Sequence, residues 1–298
     1  MTEQLKQPRK PIFAFLLSIL TPGLGHIYNG RLKTGILLFS VSQILLPYLY
    51  YWTHLVYSFY GLVSILIIEI TFRMYIIISA IYISSRQKDY ILKTYNKSST
   101  MTLIGASMLL IAFLFSEKDR LGIKTFSIPT TSNDPTLKVN DKLVSDINYY
   151  KYNSVNYGDI VTYKISNGET WVFRVVGLPF DTISIVDNVV SINHKVCKTT
   201  FIKDNISEEF EVKEFEETLP NGHRHTIFKF ITPFNDAMNN IADTIVPSNH
   251  YYLLGDNRDN AADSRFYGFI NKEDITGRII YSYWGQTRDR INIDFIDK

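Results

Sequence analysis

This sequence has little cysteine, no clustered charge of one sign and, in its second half, few long apolar runs. The 298-residue chain contains a single cysteine, Cys197, so no disulfide can form within it. Its net charge is only +2 and its lysines and arginines are scattered, which gives nucleic-acid binding no support. Nearly all of its long apolar runs precede Glu117. These absences predict two regions of different character, one apolar and one polar.

The first region, residues 1–116, has the composition of a membrane region. A helix needs roughly 20 apolar residues to cross the bilayer core, and the candidate spans are residues 34–51, 59–84 and 101–116. Arg86, Lys88, Lys93 and Lys97 lie between the second and third spans, which predicts a cytoplasmic loop because cytoplasmic loops are enriched in basic residues. Three spans then place the rest of the chain outside the cytoplasm.

Residues 11–30 do not fit a simple span. They begin with an apolar run, but the sequence TPGLG at residues 21–25 interrupts any helix there. Basic residues flank both ends of the segment. We expect a re-entrant or interfacial segment that leaves on the side it entered. The alternative is a fourth span, which would place the rest of the chain inside.

The second region, residues 117–298, predicts a separate domain of mostly β structure. Short segments rich in β-branched and aromatic residues alternate with turn dipeptides such as Asn167-Gly168. The predicted strands are residues 142–144, 159–164, 170–176, 182–186, 189–192, 227–230, 251–254 and 278–284.

Four motifs in this region occur in the order of one enzyme family. They are IPTTSNDPTL at residues 128–137, YGDIV at 157–161, RVVGLPFD at 174–181 and GDNRDNAADSRFYG at 255–268. The chain from about Phe126 to Trp284 thereby resembles signal peptidase I, a bacterial membrane serine peptidase. The fourth motif is long and compositionally improbable, so it carries most of the resemblance, whereas YGDIV alone is common.

The resemblance implies a fold, a location and an activity. The fold is a signal-peptidase-like, mostly β domain after an α-helical transmembrane region, and the location is the cytoplasmic (inner) membrane, with a multi-pass anchor and an extracytoplasmic C-terminal domain. The activity is a serine endopeptidase that cleaves signal peptides from exported precursor proteins. By resemblance, Ser132 falls on the catalytic nucleophile and Thr130 on an oxyanion-hole donor. No cofactor and no metal are implied.

Two departures from the family pattern affect its chemistry. A serine hydroxyl needs a positioned base, and the family supplies a lysine directly before the arginine of the third motif, where this chain has Phe173. The family's serine that holds this lysine is here Ala261. The two residues that would form the family's lysine–serine contact are therefore both apolar in this chain, and no general base is identified. Asn133 and Phe180 also depart from the family pattern, which puts the substrate groove in doubt.

Alternative interpretations therefore stand beside an active endopeptidase. Another base could act, with Lys142 and Lys164 the nearest candidates on predicted strands. The chain could instead be a catalytically impaired pseudopeptidase that binds signal-peptide-like segments, or a membrane interaction module, because fold alone does not imply function.

Charged residues near the predicted site have a structural interpretation. We expect a buried hydrogen-bonded ion network that fixes the loop beside Ser132, and its predicted members are Asp256, Arg258, Asp263 and Arg265, together with Asp259. His223 and His225 are expected in a solvated turn, not in a metal site, because no further ligands lie near them in sequence.

Overall fold

A computed structural model describes residues 6–114, 121–208, 210–232 and 239–296. The chain divides into two compact units, residues 1–122 and 123–298. The boundary predicted between residues 116 and 117 lies outside the described residues.

The first unit is helical. A two-stranded sheet pairs β1 (Lys6–Gln7) with β2 (Tyr90–Ile91). The helices are α1 (Pro11–Leu20), α2 (Leu24–Tyr28), α3 (Leu32–Ser40), α4 (Leu46–Trp52), α5 (Phe59–Arg86) and α6 (Ser98–Leu114). A π-helical turn, Val41–Leu45, joins α3 to α4. Pro47 follows it, and a widened turn relieves the clash that a proline ring makes with the carbonyl four residues earlier.

Two of these helices are long and apolar enough to cross a membrane. They are the continuous run Leu32–Trp52, of 21 residues, and α5, of 28 residues. Helices α1 and α6 are apolar but shorter, with 10 and 17 residues. Residues 115 and 116, the end of the predicted third span, lie outside the described residues.

Both ends of the 11–30 segment lie against the loop that follows α5. The main-chain N–H of Arg9 donates to the carbonyl of Gln87 at 3.0 Å. At the other end, the Tyr95 hydroxyl donates to the carbonyl of Gly30 at 2.5 Å. Between them, Gly23 has a φ of +85°, a left-handed conformation that lets the chain turn between α1 and α2. The segment thus enters and leaves beside one and the same loop.

The described residues of the second unit form three antiparallel sheets. The strands are β3 (Ile123–Ser127), β4 (Lys142–Asp146), β5 (Ile160–Lys164), β6 (Thr170–Gly177), β7 (Thr182–Val186), β8 (Val189–Ile192), β9 (Lys195–Val196), β10 (Lys198–Ser207), β11 (Phe210–Thr218), β12 (Arg224–Phe230), β13 (Ile241–Ile245), β14 (His250–Leu254), β15 (Ile270–Asn271) and β16 (Ile275–Trp284). The seven-stranded sheet has the order β15-β14-β6-β5-β16-β4-β3, the four-stranded sheet β13-β7-β8-β9 and the three-stranded sheet β10-β11-β12.

Among the described residues of this unit, helix is confined to short pieces, which include α7 (Tyr149–Tyr152) and α8 (Ser264–Tyr267). This confirms the predicted mostly β fold. Each predicted strand overlaps an observed one, and those at residues 182–186 and 189–192 have the observed bounds. The sequence prediction missed β10, β11 and β13, and the edge strands β3, β9 and β15.

Candidate functional site

Ser132 lies on a loop between β3 and β4 that is closed by main-chain hydrogen bonds. The N–H of Ile128 donates to the carbonyl of Asp141 at 3.0 Å, and the N–H of Asn140 donates to the carbonyl of Ile128 at 2.8 Å. Leu137 anchors the loop because its side chain is completely buried in the same apolar cluster as Ile128. Ser132 itself is partly exposed.

A second loop, residues 255–263 between β14 and α8, holds the main chain around Ser132. The N–H of Asn257 donates to the Ser132 carbonyl at 3.1 Å, and its side-chain amide donates to the Thr131 carbonyl at 3.2 Å. The Asn260 amide donates to the Thr131 hydroxyl at 2.9 Å. Two of the sequence motifs, distant in the chain, therefore meet at the candidate nucleophile.

Thr130 and Ser132 lie side by side. The Thr130 hydroxyl donates to Ser132 Oγ at 3.3 Å, a long hydrogen bond. The Ser132 hydroxyl acts as the acceptor in this contact, so the contact does nothing to remove its proton. The arrangement leaves the need for a base unmet.

Phe173 and Ala261 also meet beside Ser132. Both are buried members of one apolar cluster. Gly255 lies between them: a Cβ built on it would stand 2.4 Å from Ala261 Cβ, 3.2 Å from Phe173 Cε1 and 2.5 Å from the Ser132 carbonyl oxygen. The two positions at which the family pattern has a lysine and its serine partner are thus close together in the fold, and both are apolar in this chain.

The two lysines considered as substitute bases are directed elsewhere. Lys142 Nζ donates to the Ser127 hydroxyl at 2.8 Å, and Lys164 is exposed to solvent. Two cavities open at Ser132, and among their described lining residues there is no lysine and no histidine. Neither lysine is placed to take a proton from Ser132.

A buried ion pair fastens the 255–263 loop to strand β6. The Arg174 guanidinium donates to both oxygens of Asp256 at 2.8 Å, and it also donates to the Gly158 carbonyl at 2.9 Å. Burial opposes ionisation of Asp256, but the charge and hydrogen bonds of Arg174, together with smaller contributions from His225 and Thr136, lower the pKa of that carboxyl. Arg174 also donates to the Thr136 hydroxyl at 3.3 Å, which connects the pair to the Ser132 loop.

Two further buried pairs stabilise the same loop. Arg258 pairs with Glu217 on β11. Arg265 pairs with Asp263 at 2.8 Å, and Asp263 also accepts the main-chain N–H of Gly255 at 3.0 Å. Each charge is nearly inaccessible to solvent and lies against an opposite charge. None of these pairs includes Ser132, which fits a structural role for the predicted residues.

The histidine prediction is wrong for His225. Its ring is buried, with Nε2 3.2 Å from a Glu217 oxygen and 3.9 Å from an Asp256 oxygen. His223 is half-buried, and its Nε2 lies 3.2 Å from Arg174 Nη1. Burial and the positive charge of Arg174 lower the pKa of His223 to about 4. Sequence reasoning missed these contacts because it did not predict strand β11, whose Glu217 lies opposite His225, and because Arg174 and Asp256 are distant in the chain.

Two cavities share Ser132 as a wall. The apolar cavity, about 360 Å³, lies between residues 126–133 and β6, with Phe173 and Trp171 among its walls. The acidic cavity, about 510 Å³, is lined by residues 129–132, by 259–262 and by Glu208 and Phe266. An extended peptide that crosses Ser132 would have room on both sides.

Comparison with known proteins agrees with these observations. The family model described as signal peptidase, peptidase S26, matches residues 93–284. The signal peptidase I of Rickettsia typhi (strain ATCC VR-144 / Wilmington) is 31% identical over 196 residues, which are 56% of this chain and 73% of that protein. That of Rickettsia conorii (strain ATCC VR-613 / Malish 7) is 32% identical over 197 residues, with the same coverage.

A solved structure is also similar. The crystal structure of a signal peptidase I from Enterococcus faecalis V583 aligns with 42% of this chain and 97% of its own, with 21% sequence identity and a TM-score of 0.27.

Proposed function

The chain belongs to the signal peptidase family, peptidase S26, and we propose that it binds signal-peptide segments of exported precursor proteins across Ser132 without cleaving them by a Ser/Lys mechanism. The substrate class follows from the family. The lack of turnover is proposed from the geometry around the hydroxyl.

One observation carries the proposal. Phe173 and Ala261 lie together beside Gly255, next to the Ser132 main chain, where a proton acceptor and its hydrogen-bonding partner would be needed. A benzyl ring and a methyl group cannot accept a proton. A serine without its base loses several orders of magnitude in rate, whereas the cavities on both sides of Ser132 do not depend on proton transfer.

The N-terminal unit supports a membrane location. Its helices expose large apolar side chains such as Leu37, Ile44 and Leu66, and wide apolar surfaces of this kind mark membrane or protein contacts. Both ends of the 11–30 segment lie beside the basic loop after α5, which favours a re-entrant segment. We therefore place the protein in the inner membrane as a multi-pass protein, with residues after 122 on the extracytoplasmic side.

The test uses a purified exported precursor with an Ala-x-Ala site and the full chain in detergent. We expect wild type and Ser132→Ala to bind the precursor with similar Kd and to release no mature protein. The matched control is a precursor in which both alanines are phenylalanine, which should bind more weakly because the motif no longer fits. Absence of Ala-x-Ala-dependent binding would contradict the proposal.

The alternative is an active endopeptidase with a different base. Retention of Ser132, with the Thr130 hydroxyl beside it, favours this second candidate. In that case Ser132 attacks the scissile carbonyl, and Thr130 and the Ser132 amide hold the oxyanion. Cleavage by wild type that disappears in Ser132→Ala would establish it and overturn the first.

A further inference from the structure

The two cavities at Ser132 differ in polarity. The charged residue among the described lining of the apolar cavity is Glu169, whose exposed carboxylate accepts the Trp171 indole N–H at 3.3 Å. The apolar cavity is walled on one side by Val172 and Phe173 of β6 and on the other by residues 126–130. The charged residues among the described lining of the acidic cavity are Glu208 and Asp259, both carboxylates. A bound peptide would therefore meet a mainly apolar surface on one side of Ser132 and a more polar surface with two carboxylates on the other.

The chemistry of signal peptides decides the direction of such a peptide. Their cleavage sites end in small residues of the Ala-x-Ala type. Small apolar side chains suit the apolar cavity, so the residues that follow the motif, the first residues of the mature protein, lie in the acidic cavity.

Glu208 reaches this cavity from the tip of the β10–β11 hairpin. Ser207, the residue before it, donates its hydroxyl to Asp134 at 2.9 Å and accepts from the Asn257 amide at 3.4 Å. Ser207, Asp134 and Asn257 are all buried. The tip is therefore fastened to the loop of Ser132 and to the 255–263 loop, so the position of Glu208 is fixed relative to the nucleophile.

The two carboxylates of the acidic cavity are not equivalent. Asp259 accepts the Asn188 amide at 3.0 Å through one oxygen and the Phe230 N–H at 2.8 Å through the other. Both of its oxygens are thus used within the fold. Glu208 is exposed. Burial raises the pKa of Asp134, and the negative charge of Glu208 adds to the rise, as expected for neighbouring carboxylates.

We propose that Glu208 is a specificity-determining residue that favours a lysine or arginine, and disfavours an aspartate or glutamate, at the first two positions after the Ala-x-Ala motif. This inference rests on the proposed function, since it requires a peptide to bind across Ser132. The interaction is between exposed charges, so its effect is modest and falls as salt screens it.

The test measures Kd for fluorescent signal-peptide segments that end in Ala-x-Ala and continue with two lysines, two glutamines or two glutamates. With the full chain at low salt, we expect the lysine peptide to bind about threefold to fivefold more tightly than the glutamate peptide, with the glutamine peptide between them. In 0.5 M salt the three values should converge. Glu208→Gln should remove most of the preference and Glu208→Lys should reverse it.

Glu211→Gln is the matched control, because Glu211 is an exposed glutamate on β11 that does not line the cavity. It should keep the wild-type preference. Equal Kd values for the lysine and glutamate peptides in wild type would overturn the role of Glu208 and leave peptide binding intact. A preference that survives in Glu208→Gln would overturn it as well. No binding of any peptide would overturn both this inference and the proposed function.

Discussion

At the scale of single residues, the chain keeps the serine that we propose as the nucleophile, and two apolar residues stand at the positions where the family pattern has a lysine and its serine partner. Ser132 is partly exposed beside Thr130, but Phe173 and Ala261 form an apolar surface where an amine and a hydroxyl would be needed. A lysine held in such a place would have a lowered pKa, because burial disfavours its charged form. The environment for a neutral amine is therefore present, although the amine is not.

The first prediction concerns a double substitution that introduces the family's lysine and its serine partner. Phe173→Lys with Ala261→Ser should give cleavage of an Ala-x-Ala precursor at least 10²-fold above the wild-type rate, since a positioned base contributes roughly 10²–10⁴-fold. The measurement is a single-turnover cleavage assay. The control is Phe173→Met with Ala261→Ser, which fills similar space without supplying a base. Equal cleavage rates for the two variants would mean that the substrate groove, and not only the missing base, prevents cleavage.

Residue identity alone predicted part of the candidate site. The motif around Ser132 predicted the candidate nucleophile and Thr130, and the third and fourth motifs predicted the substituted positions Phe173 and Ala261, because each is read from its neighbours in sequence. The buried ring of His225 could not be found this way. Its partners, Glu217 and Asp256, come from another strand and from the 255–263 loop.

At the scale of elements, the site depends on how loop 255–263 is fastened to the sheet. Arg174 of β6 connects Asp256, the Gly158 carbonyl and the Thr136 hydroxyl. Removing one member of a buried ion pair leaves the other charge without compensation, which costs much more than the loss of an exposed pair.

Arg174→Met is therefore expected to lower the free energy of unfolding by about 3–5 kcal/mol. The control is Arg224→Met, which removes an exposed pair with Glu216 at 3.7 Å and should cost under about 1 kcal/mol. Denaturant midpoints of the full chain in detergent measure both. A smaller loss for Arg174→Met than for Arg224→Met would show that the buried pair does not hold the loop.

The sequence prediction missed β10 and β11 because of the composition of these strands. Most of the side chains of β10 are exposed, so its sequence lacks the apolar face that marks a half-buried strand. Strand β11 is rich in charge and pairs with β10 in a ribbon. Strands β7 and β8 show the opposite case, because alternate residues are buried and the alternation fixed their bounds.

At the scale of the whole molecule, the chain combines a helical unit with exposed apolar side chains and a β unit with several apolar clusters of its own. The basic residues flanking 11–30 and those after α5 come together in the fold: Lys93 Nζ donates to the Gly30 carbonyl at 3.3 Å. This favours a topology in which the loop after α5 is cytoplasmic.

Labelling of engineered cysteines tests that topology. Lys195→Cys, at an exposed position of β9, should react with a membrane-impermeant maleimide on whole cells. Lys88→Cys, exposed in the loop after α5, should react only after permeabilisation. The native Cys197 is buried and gives a low background. The reverse pattern would mean that residues 11–30 form a fourth span.

The sequence by itself determined the division into an apolar and a polar region, the family, the prediction of Ser132 as nucleophile and the absence of the expected lysine, because composition and contiguous motifs carry that information locally. Only the tertiary structure decided that Phe173 and Ala261 meet beside Ser132, that His225 is buried among charges, and that Glu208 reaches the acidic cavity. Those contacts join segments far apart in the chain, and their geometry follows from strand pairing and loop packing that no local pattern specifies.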